Sequence, residues 1–470
     1  MMARPWLEKT TQLATPAGAR ACTTFLLLLV ALSQSLPAAQ PSAQGPRPNI
    51  LFIYADDLGW SDVSFNGRTE WKTPNLDRLA RQGTIFRRWY TGAVVCAPSR
   101  AVLMTGRYTI HNGVSGNSAD LPAAEVTVAE ALRSRGYATA LFGKWHHGRT
   151  RPGQTSYVHP LDQGFDEFFG FTNATHAWEK FPTELWSGRE KRPFRGFVDT
   201  AFADRAIDFV ARHRTGPFFL YLAYTTPHFN IEAPQADLEA FRGKFPEKDT
   251  SRPVNATYAA MITRMDSEVG RILRSIEENG LARNTLVVFT SDHGATFEAG
   301  NQGASAYHDS NRPFRGQKRT LWEGGIRVPA VVRWPGLVPA GQVSNQIVHM
   351  IDVLPTLLAA AGTAADPAWQ VDGANLLDVW RGRAVSPQRT LFWEWRAEGY
   401  YQLAAMRGDM KLVVTGAEDS KPELFNVETD AVERRSMFFE FQPLGRRLHD
   451  ELKAWLASET EESKWGRTAR

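Results

Sequence analysis

The chain has 470 residues, of which 43% are hydrophobic and 22% are charged, and its formal net charge is +4. This composition is typical of a folded protein with a large core, and the length allows more than one domain. Because the net charge is small, neither a nucleic-acid partner nor an acidic membrane surface is indicated. We therefore expect no nucleic-acid binding and no stable membrane insertion.

Residues 1–44 have the pattern of an export signal. A basic start precedes an apolar run at residues 24–31, and small residues follow at Ala38, Ala39 and Ala43. Since the run is too short to span a bilayer comfortably, we expect cleavage, with an uncleaved anchor as the alternative. The chain contains only Cys22 and Cys96, so the mature protein would have one cysteine and no internal disulfide.

Alternating strands and helices are predicted for most of the chain. Continuous apolar runs predict buried strands at residues 48–55, 137–142, 218–223 and 286–290. Capping residues and periodicity predict helices at residues 74–82, 127–135, 204–214 and 255–279, and another from about 352. This alternation predicts an α/β fold, with a large, mostly parallel sheet sandwiched by helices.

The last part of the chain has a different pattern. Short strands are predicted at residues 390–395, 401–406 and 411–414, followed by a helix at about 444–458. Closely spaced strands favour an antiparallel sheet in a small α+β unit. We therefore expect a main domain at 45–385 and a C-terminal subdomain at 386–470.

Polar residues follow the predicted strands directly. The clusters are Asp56 with Asp57, Lys144 with His146, His228, and Asp292 with His293. Ligands of open α/β sheets bind beyond the carboxyl ends of the strands, so these clusters are expected to meet. Three buried carboxylates would repel one another, and a hard divalent cation such as calcium or magnesium would relieve that repulsion. For either acidic motif alone, a surface turn is the alternative.

The stretch at residues 95–107 contains Cys96, Pro98, Ser99 and Arg100. A lone cysteine is most often a small buried hydrophobic residue. Here Pro98 and Ser99 predict a helix start, with the Ser99 hydroxyl able to bind free backbone N–H groups. A helix start beside a guanidinium favours an anionic ligand. We therefore predict that Cys96 is a nucleophile in an oxyanion site.

The pattern C-x-P-S-R-x-x-x-M-T-G at residues 96–106 resembles the signature of the type I sulfatases, in the alkaline-phosphatase superfamily. Further matches are G-K-W-H at 143–146, T-P-H at 226–228 and R-G-Q-K at 315–318, and the resemblance covers roughly residues 48–329. It implies an alkaline-phosphatase-like fold. It also implies that a formylglycine-generating enzyme oxidises Cys96 to formylglycine, whose hydrated aldehyde attacks sulfur and forms a covalent sulfo-formylglycine intermediate.

The resemblance also assigns roles to the other site residues. It implies that Arg100, Lys144 and Lys318 neutralise sulfate oxygens, that His146 is the base that releases sulfate, and that His228 with Lys318 protonates the leaving oxygen. The implied metal ligands, which include the modified cysteine, are Asp56, Asp57, Cys96, Asp292 and His293. Calcium is the expected ion, but imidazole is a softer ligand than an amide oxygen, so His293 leaves manganese or magnesium open.

The expected function is hydrolysis of sulfate monoesters, of a sulfated carbohydrate or an aryl substrate. The run G-F-D-E-F-F-G at 164–170 resembles the N-acetylgalactosamine-6-sulfatase and arylsulfatase groups. The alternatives are a phosphodiesterase or phosphonate monoester hydrolase with the same nucleophile, and a catalytically inactive glycan-binding protein. Residues 149–197, with Trp178, Trp186 and Arg192, are predicted to form a substrate rim. Because exported animal relatives usually carry several cysteines, we expect a periplasmic or secreted bacterial protein.

Overall fold

A computed structural model describes residues 47–148, 158–397, 400–417 and 420–460. The predicted export signal and residues 149–157 of the predicted substrate rim lie outside these ranges. In the part of the chain that the structure describes, no helix combines the length and apolarity needed to cross a membrane.

The main sheet has 11 strands among the described residues. They are β1 Asn49–Asp56, β2 Thr84–Tyr90, β3 Ala138–Lys144, β4 Glu167–Phe171, β5 Glu184–Ser187, β6 Glu190–Pro193, β7 Phe218–Pro227, β8 Thr285–Ser291, β9 Arg327–Val328, β10 Ala330–Arg333 and β11 Gln342–His349. Their order is β11-β2-β10-β8-β1-β7-β3-β4-β5-β6, and β9 pairs with β2. The strands from β8 to β4 in this order are parallel, whereas β10, β5 and β6 run antiparallel to their neighbours. The predicted mostly parallel sheet is confirmed.

Helices cover both faces of this sheet. They are α1 Pro74–Gln82, α2 Cys96–Thr105, α3 Thr109–Asn112, α4 Val128–Arg133, α5 Val198–Arg212, α6 Gln235–Glu239, α7 Val254–Glu278, α8 Ala304–Tyr307, α9 Glu323–Ile326, α10 Val353–Ala360, α11 Leu377–Trp380 and α12 Gln442–Ala457. Alternate residues of β1 enter opposite cores, with Phe52 packed in the core of α2, α4 and α10 and Ile53 in that of α1, α5 and α7. Because both faces are covered, the central strands are apolar without alternation.

Two predicted boundaries were wrong by several residues. Helix α5 starts at Val198, earlier than the predicted 204, because Val198 and Phe202 belong to the same buried face as the rest of the helix. Strand β7 continues through Pro227, although Thr225 and Thr226 carry hydroxyl groups. β-Branched threonine is readily accommodated in a strand, so hydroxyl groups alone did not mark its end.

The C-terminal region forms a separate antiparallel sheet, as predicted. Its order is β12-β13-β14-β15, with β12 Leu391–Ala397, β13 Tyr400–Arg407, β14 Met410–Thr415 and β15 Glu423–Asn426. The short strand β15 was not predicted. Trp393 of β12 packs in the same core as α2, and its indole N–H donates to the Thr91 carbonyl at 2.7 Å. The domain boundary between residues 385 and 386 stays a prediction.

Candidate active site

Four neighbouring strands bring the predicted polar clusters to one edge of the sheet. In the order β8-β1-β7-β3, Ala55 pairs with Ser291, Asp56 pairs with Pro227, and Gly143 pairs with Ala223. The residues that end or follow these strands are therefore adjacent despite their separation in sequence. All of them are buried, namely Asp56, Asp57, Lys144, His146, His228, Asp292 and His293.

Cys96 is the first residue of α2 and lies at the centre of this edge. Its sulfur is 3.4 Å from His293 Nε2, 3.8 Å from Lys318 Nζ and 4.0 Å from Asp57 Oδ1. The residue is only 1% exposed, and this burial raises the pKa of the Cys96 thiol well above its usual range. This shift favours the protonated thiol, which is a much weaker nucleophile than the thiolate.

Ser99 has a different role from the one predicted. The residue before the helix is Val95, whose side chain makes no capping bond, and the N–H of Ala97 in the first turn donates to Asn117 Oδ1 at 3.0 Å. The Ser99 hydroxyl instead donates to the Asp292 carbonyl at 2.6 Å, and its oxygen lies 2.7 Å from Thr91 Oγ1. The capping prediction was wrong because Ser99 lies inside the first turn, where its side chain ties α2 to the end of β8.

Three buried cations compensate the buried carboxylates. Arg100 donates to Asp56 at 3.0 Å and to Asp292 at 3.2 Å, and Lys144 donates to Asp56 at 2.7 Å. Burial raises the pKa of Asp56, but Lys144 and Arg100 outweigh it and hold that pKa well below its usual range. Lys318 Nζ lies 3.0 Å from Asp57 Oδ2. Buried charges are tolerated only when paired in this way.

Four side chains converge as a possible metal site. One ligand atom each from Asp57, Cys96, Asp292 and His293 lies within 4.8 Å of the others. Carboxylate oxygens suit a hard divalent cation, and the imidazole nitrogen widens the choice toward manganese, so the donor set fits a divalent ion. Asp56, the fifth predicted ligand, is outside this cluster, and its carboxylate is bound by Lys144 and Arg100.

The two predicted acid–base histidines differ in their partners. His228 Nδ1 lies 2.8 Å from the Phe229 carbonyl oxygen, and because this oxygen can only accept, the ring proton is on Nδ1. The other ring nitrogen, Nε2, faces the site and lies 3.8 Å from Asp57 Oδ2. Neither ring nitrogen of His146 has a hydrogen-bond partner among the described residues. Burial lowers the pKa of both imidazoles well below the usual range. Buried, unpartnered nitrogens are expected where a polar ligand or water binds.

Some contacts of the site were not predicted from the sequence. Glu298 lies 3.6 Å from Lys318 Nζ and accepts a 2.7 Å hydrogen bond from Arg319 Nε. Tyr221 accepts from Arg100 at 3.4 Å, and the Tyr54 ring lies beneath the same guanidinium. The two tyrosines are ordinary members of apolar strands, and Glu298 lies in a loop, so none of them carries a sequence signal.

The predicted substrate rim is only partly assembled next to these residues. Trp178 is 37% exposed, and its ring centroid lies 5.2 Å from that of Phe229, the residue after His228. Trp186 lies on β5 and Arg192 on β6, the last two strands at one end of the sheet. The rim therefore stays a prediction, and Trp178 is the member of this group that contacts a neighbour of the site.

A buried cysteine beside three paired cations and a donor set that fits a divalent metal, all at one edge of an α/β sheet, is the arrangement expected of a hydrolase of anionic esters. The sulfatase family model matches residues 48–363, and the model described as N-sulphoglucosamine sulphohydrolase, C-terminal, matches residues 315–460. The chain belongs to the sulfatase family, which confirms the resemblance seen in its sequence.

Individual relatives agree with this assignment. The chain is 34% identical over 437 residues to N-acetylgalactosamine-6-sulfatase of Canis lupus familiaris, covering 85% of the chain and 75% of the relative. It is 33% identical over 447 residues to steryl-sulfatase of Mus musculus, covering 76% and 69%. The crystal structure of Ps i-CgsB in complex with k-i-k-neocarrahexaose has a TM-score of 0.80 at 30% identity, covering 89% and 94%. The chain is thus a sulfuric ester hydrolase, and the phosphodiesterase or phosphonate hydrolase alternative has less support.

Proposed function

We propose that this enzyme hydrolyses sulfate monoesters of a sulfated carbohydrate, with formylglycine at position 96 as the nucleophile. The observation that carries the proposal is the convergence of Cys96 with Arg100, Lys144 and Lys318 in one buried site. A sulfate ester is anionic and repels nucleophiles. Its hydrolysis is therefore favoured in a buried site, where fixed cations stabilise the negative charge more strongly than in water. Trp178, exposed beside Phe229, offers an aromatic face that suits a sugar ring.

The chain's own residues account for charge and proton movement. Arg100, Lys144 and Lys318 stabilise negative charge on the sulfate oxygens as the ester bond breaks. His228 Nε2 faces the site beside Lys318 and is proposed to protonate the leaving oxygen, whereas His146 is proposed to accept the proton that accompanies sulfate release. Hydrated formylglycine supplies two hydroxyl groups, one for attack on sulfur and one whose deprotonation expels sulfate.

The same site is proposed to hold one divalent cation, most directly calcium. Asp57, Asp292, His293 and the modified residue 96 would bind it, and Asp56 would contribute if Lys144 or Arg100 released its carboxylate. The ion supplies positive charge that polarises a sulfate oxygen. Asp57 Oδ1 and Asp292 Oδ2 lie within 3.4 Å and 3.6 Å of His293 Nε2, so small movements would suffice to form a shared ligand set.

The mass of the tryptic peptide at residues 89–100 tests the proposed nucleophile. Protein made together with a formylglycine-generating enzyme is expected to give the lighter, aldehyde-containing peptide instead of the thiol form, and this peptide should react with a hydrazide. The same protein should release sulfate from 4-nitrophenyl sulfate. Folded, active protein that carries only the unmodified thiol would contradict the formylglycine proposal.

Removal of the metal provides a second test. Chelation is expected to lower kcat by at least about a hundredfold, because the ion stabilises charge only as the ester bond breaks. Adding back calcium should restore both kcat and the temperature of thermal unfolding more fully than manganese or magnesium. Asp292→Asn should weaken that calcium-dependent thermal shift. Full activity after exhaustive chelation would exclude the metal site.

Export to the periplasm or the cell exterior is proposed from residues 1–44 and from the single cysteine left after their removal.

A further inference from the structure

Arg319 is held at the edge of the site by its own backbone and by its neighbour. Its N–H donates to the Val94 carbonyl at 2.9 Å, two residues before Cys96. The preceding residue, Lys318, reaches the Cys96 sulfur at 3.8 Å. Arg319 also has a φ of +69°, a conformation that is uncommon outside glycine and that tends to be retained at functional sites. Its side chain therefore starts within one residue of the proposed catalytic centre.

The guanidinium of Arg319 is fixed on one side only. Nε donates to Glu298 at 2.7 Å, and Glu298 also lies 3.6 Å from Lys318 Nζ. The guanidinium carbon lies 5.5 Å from the ring centroid of Trp395, which limits its rotation. The two terminal nitrogens, NH1 and NH2, have no hydrogen-bond partner among the described residues. A planar fork with both terminal groups available is the donor arrangement that matches a sulfate or a carboxylate.

Exposure separates Arg319 from the other cations of the site. The side chains of Arg100, Lys144 and Lys318 are at most 2% exposed, and each is paired with an aspartate of the site. The Arg319 side chain is 43% exposed. The buried cations can serve the sulfate group that is cleaved, whereas Arg319 is accessible to a part of the substrate that stays outside.

We propose that Arg319 binds a second anionic group on the substrate, on the leaving-group side of the scissile ester. This inference rests on the proposed function, because it takes Lys318 and His228 as the residues beside the leaving oxygen. The enzyme would then prefer sugars that carry another sulfate or a carboxylate over sugars that carry one sulfate. Glu298 has a positioning role, since it holds Nε of the guanidinium through a hydrogen bond.

Inhibition constants at fixed ionic strength test this preference. The reporter reaction is hydrolysis of 4-nitrophenyl sulfate. The competing sugars are N-acetylgalactosamine 6-sulfate, its 4,6-disulfate, and the 6-sulfate linked to glucuronic acid. Wild-type enzyme is expected to bind one of the two dianionic sugars about 10 to 100 times more tightly than the monosulfate, as a charge-assisted bidentate contact allows. Comparing the disulfate with the glucuronate-linked sugar shows whether the second anion that is recognised is a sulfate or a carboxylate.

The ratio of the inhibition constant of the monosulfate to that of the preferred dianionic sugar should fall to about one in Arg319→Gln. In Arg319→Lys part of the preference should be retained. Arg312→Gln is the matched control, because the Arg312 side chain is 34% exposed in the same segment and is paired with Glu70. Its ratio should equal that of the wild type. An equal affinity of wild type for all three sugars, or an unchanged ratio in Arg319→Gln, would overturn the proposal.

Calorimetry with Cys96→Ala protein, alone and combined with Arg319→Gln, compares the binding of the same sugars without turnover. A wild-type protein that binds the dianionic sugars selectively but hydrolyses no sulfate ester would contradict the proposed function and leave the assignment of Arg319 standing. Hydrolysis of sulfate esters without a preference for the dianionic sugars would support the proposed function and contradict the role of Arg319.

Discussion

Replacing Cys96 with alanine is expected to lower kcat by at least about a thousandfold, because the substitution removes the only candidate nucleophile of the described site. The fold should survive, since alanine keeps the helical backbone at this position and the contacts of the sulfur that are lost are with polar groups of the site. Initial rates with 4-nitrophenyl sulfate and the temperature of thermal unfolding check both halves of this expectation.

Cys96→Ser is the informative companion to that variant. A serine hydroxyl has one proton, so after transfer of the sulfuryl group it has no second hydroxyl with which to expel sulfate. Rapid mixing should therefore show at most one equivalent of 4-nitrophenol per enzyme, followed by slow turnover. Activity above about a tenth of wild type in Cys96→Ala would mean that another group attacks sulfur.

Lys411→Met is expected to destabilise the protein by about 3–5 kcal/mol, the usual cost of leaving buried charges without their partner. Lys411 lies in β14, is fully buried, and its Nζ is 2.9 Å from both Glu323 Oε1 and Glu433 Oε1. Without this ammonium, two carboxylates would remain together in the core. Chemical denaturation monitored by tryptophan fluorescence measures the change in the free energy of unfolding.

The pH dependence of that variant adds a check on its cause. Burial raises the pKa of Glu433 to about 7, above its ordinary value, so its ionised form is disfavoured in the folded state. A carboxyl group with a raised pKa lowers stability as the pH rises through that value. Lys411 lowers the pKa of Glu433, so its removal raises that pKa further, and Lys411→Met should be most destabilised at high pH and recover part of the lost stability as the pH falls.

Two further variants distinguish loss of the buried ion pairs from a nonspecific effect of replacing a lysine. Adding Glu433→Gln to Lys411→Met should restore part of the lost stability, because one unpaired charge is removed. Lys191→Met is the control, since Lys191 is an exposed lysine paired with Glu184 and should cost less than about 1 kcal/mol. A Lys411→Met protein as stable as the control would show that the buried ion pairs contribute little.

The sequence was sufficient to predict the central strands and the clusters that follow them. An apolar run of full strand length, such as that of β8, is hard to interpret as anything but a buried strand when Asp292 and His293 follow it directly. The position of Cys96 was equally clear, because its motif is long. These features are local, so a single stretch of sequence determines each of them.

Features that depend on distant contacts were not predictable in this way. Ser99 has the composition of a cap, but its hydroxyl bonds to the carbonyl of Asp292, which no local pattern indicates. Arg319 and Glu298 are separated by twenty-one positions, and no local pattern indicates that the two side chains form a hydrogen bond. Strand β15 is four residues long and is defined by its pairing with β14.

The topology of the main sheet has a consequence for the order of events during synthesis. Strand β1 is made early, but it is flanked by β7 and β8, and the Cys96 sulfur is covered by His293 and Lys318. Because these partners emerge from the ribosome much later, the central sheet cannot close around Cys96 while they are missing. The segment that carries the cysteine is therefore not yet covered while the 222 residues from Cys96 to Lys318 are synthesised, and it becomes inaccessible once β8 and Lys318 have docked. The proposed modification of Cys96 has that interval in which to occur, and slowing the closure of the sheet should raise the fraction of chains that carry it.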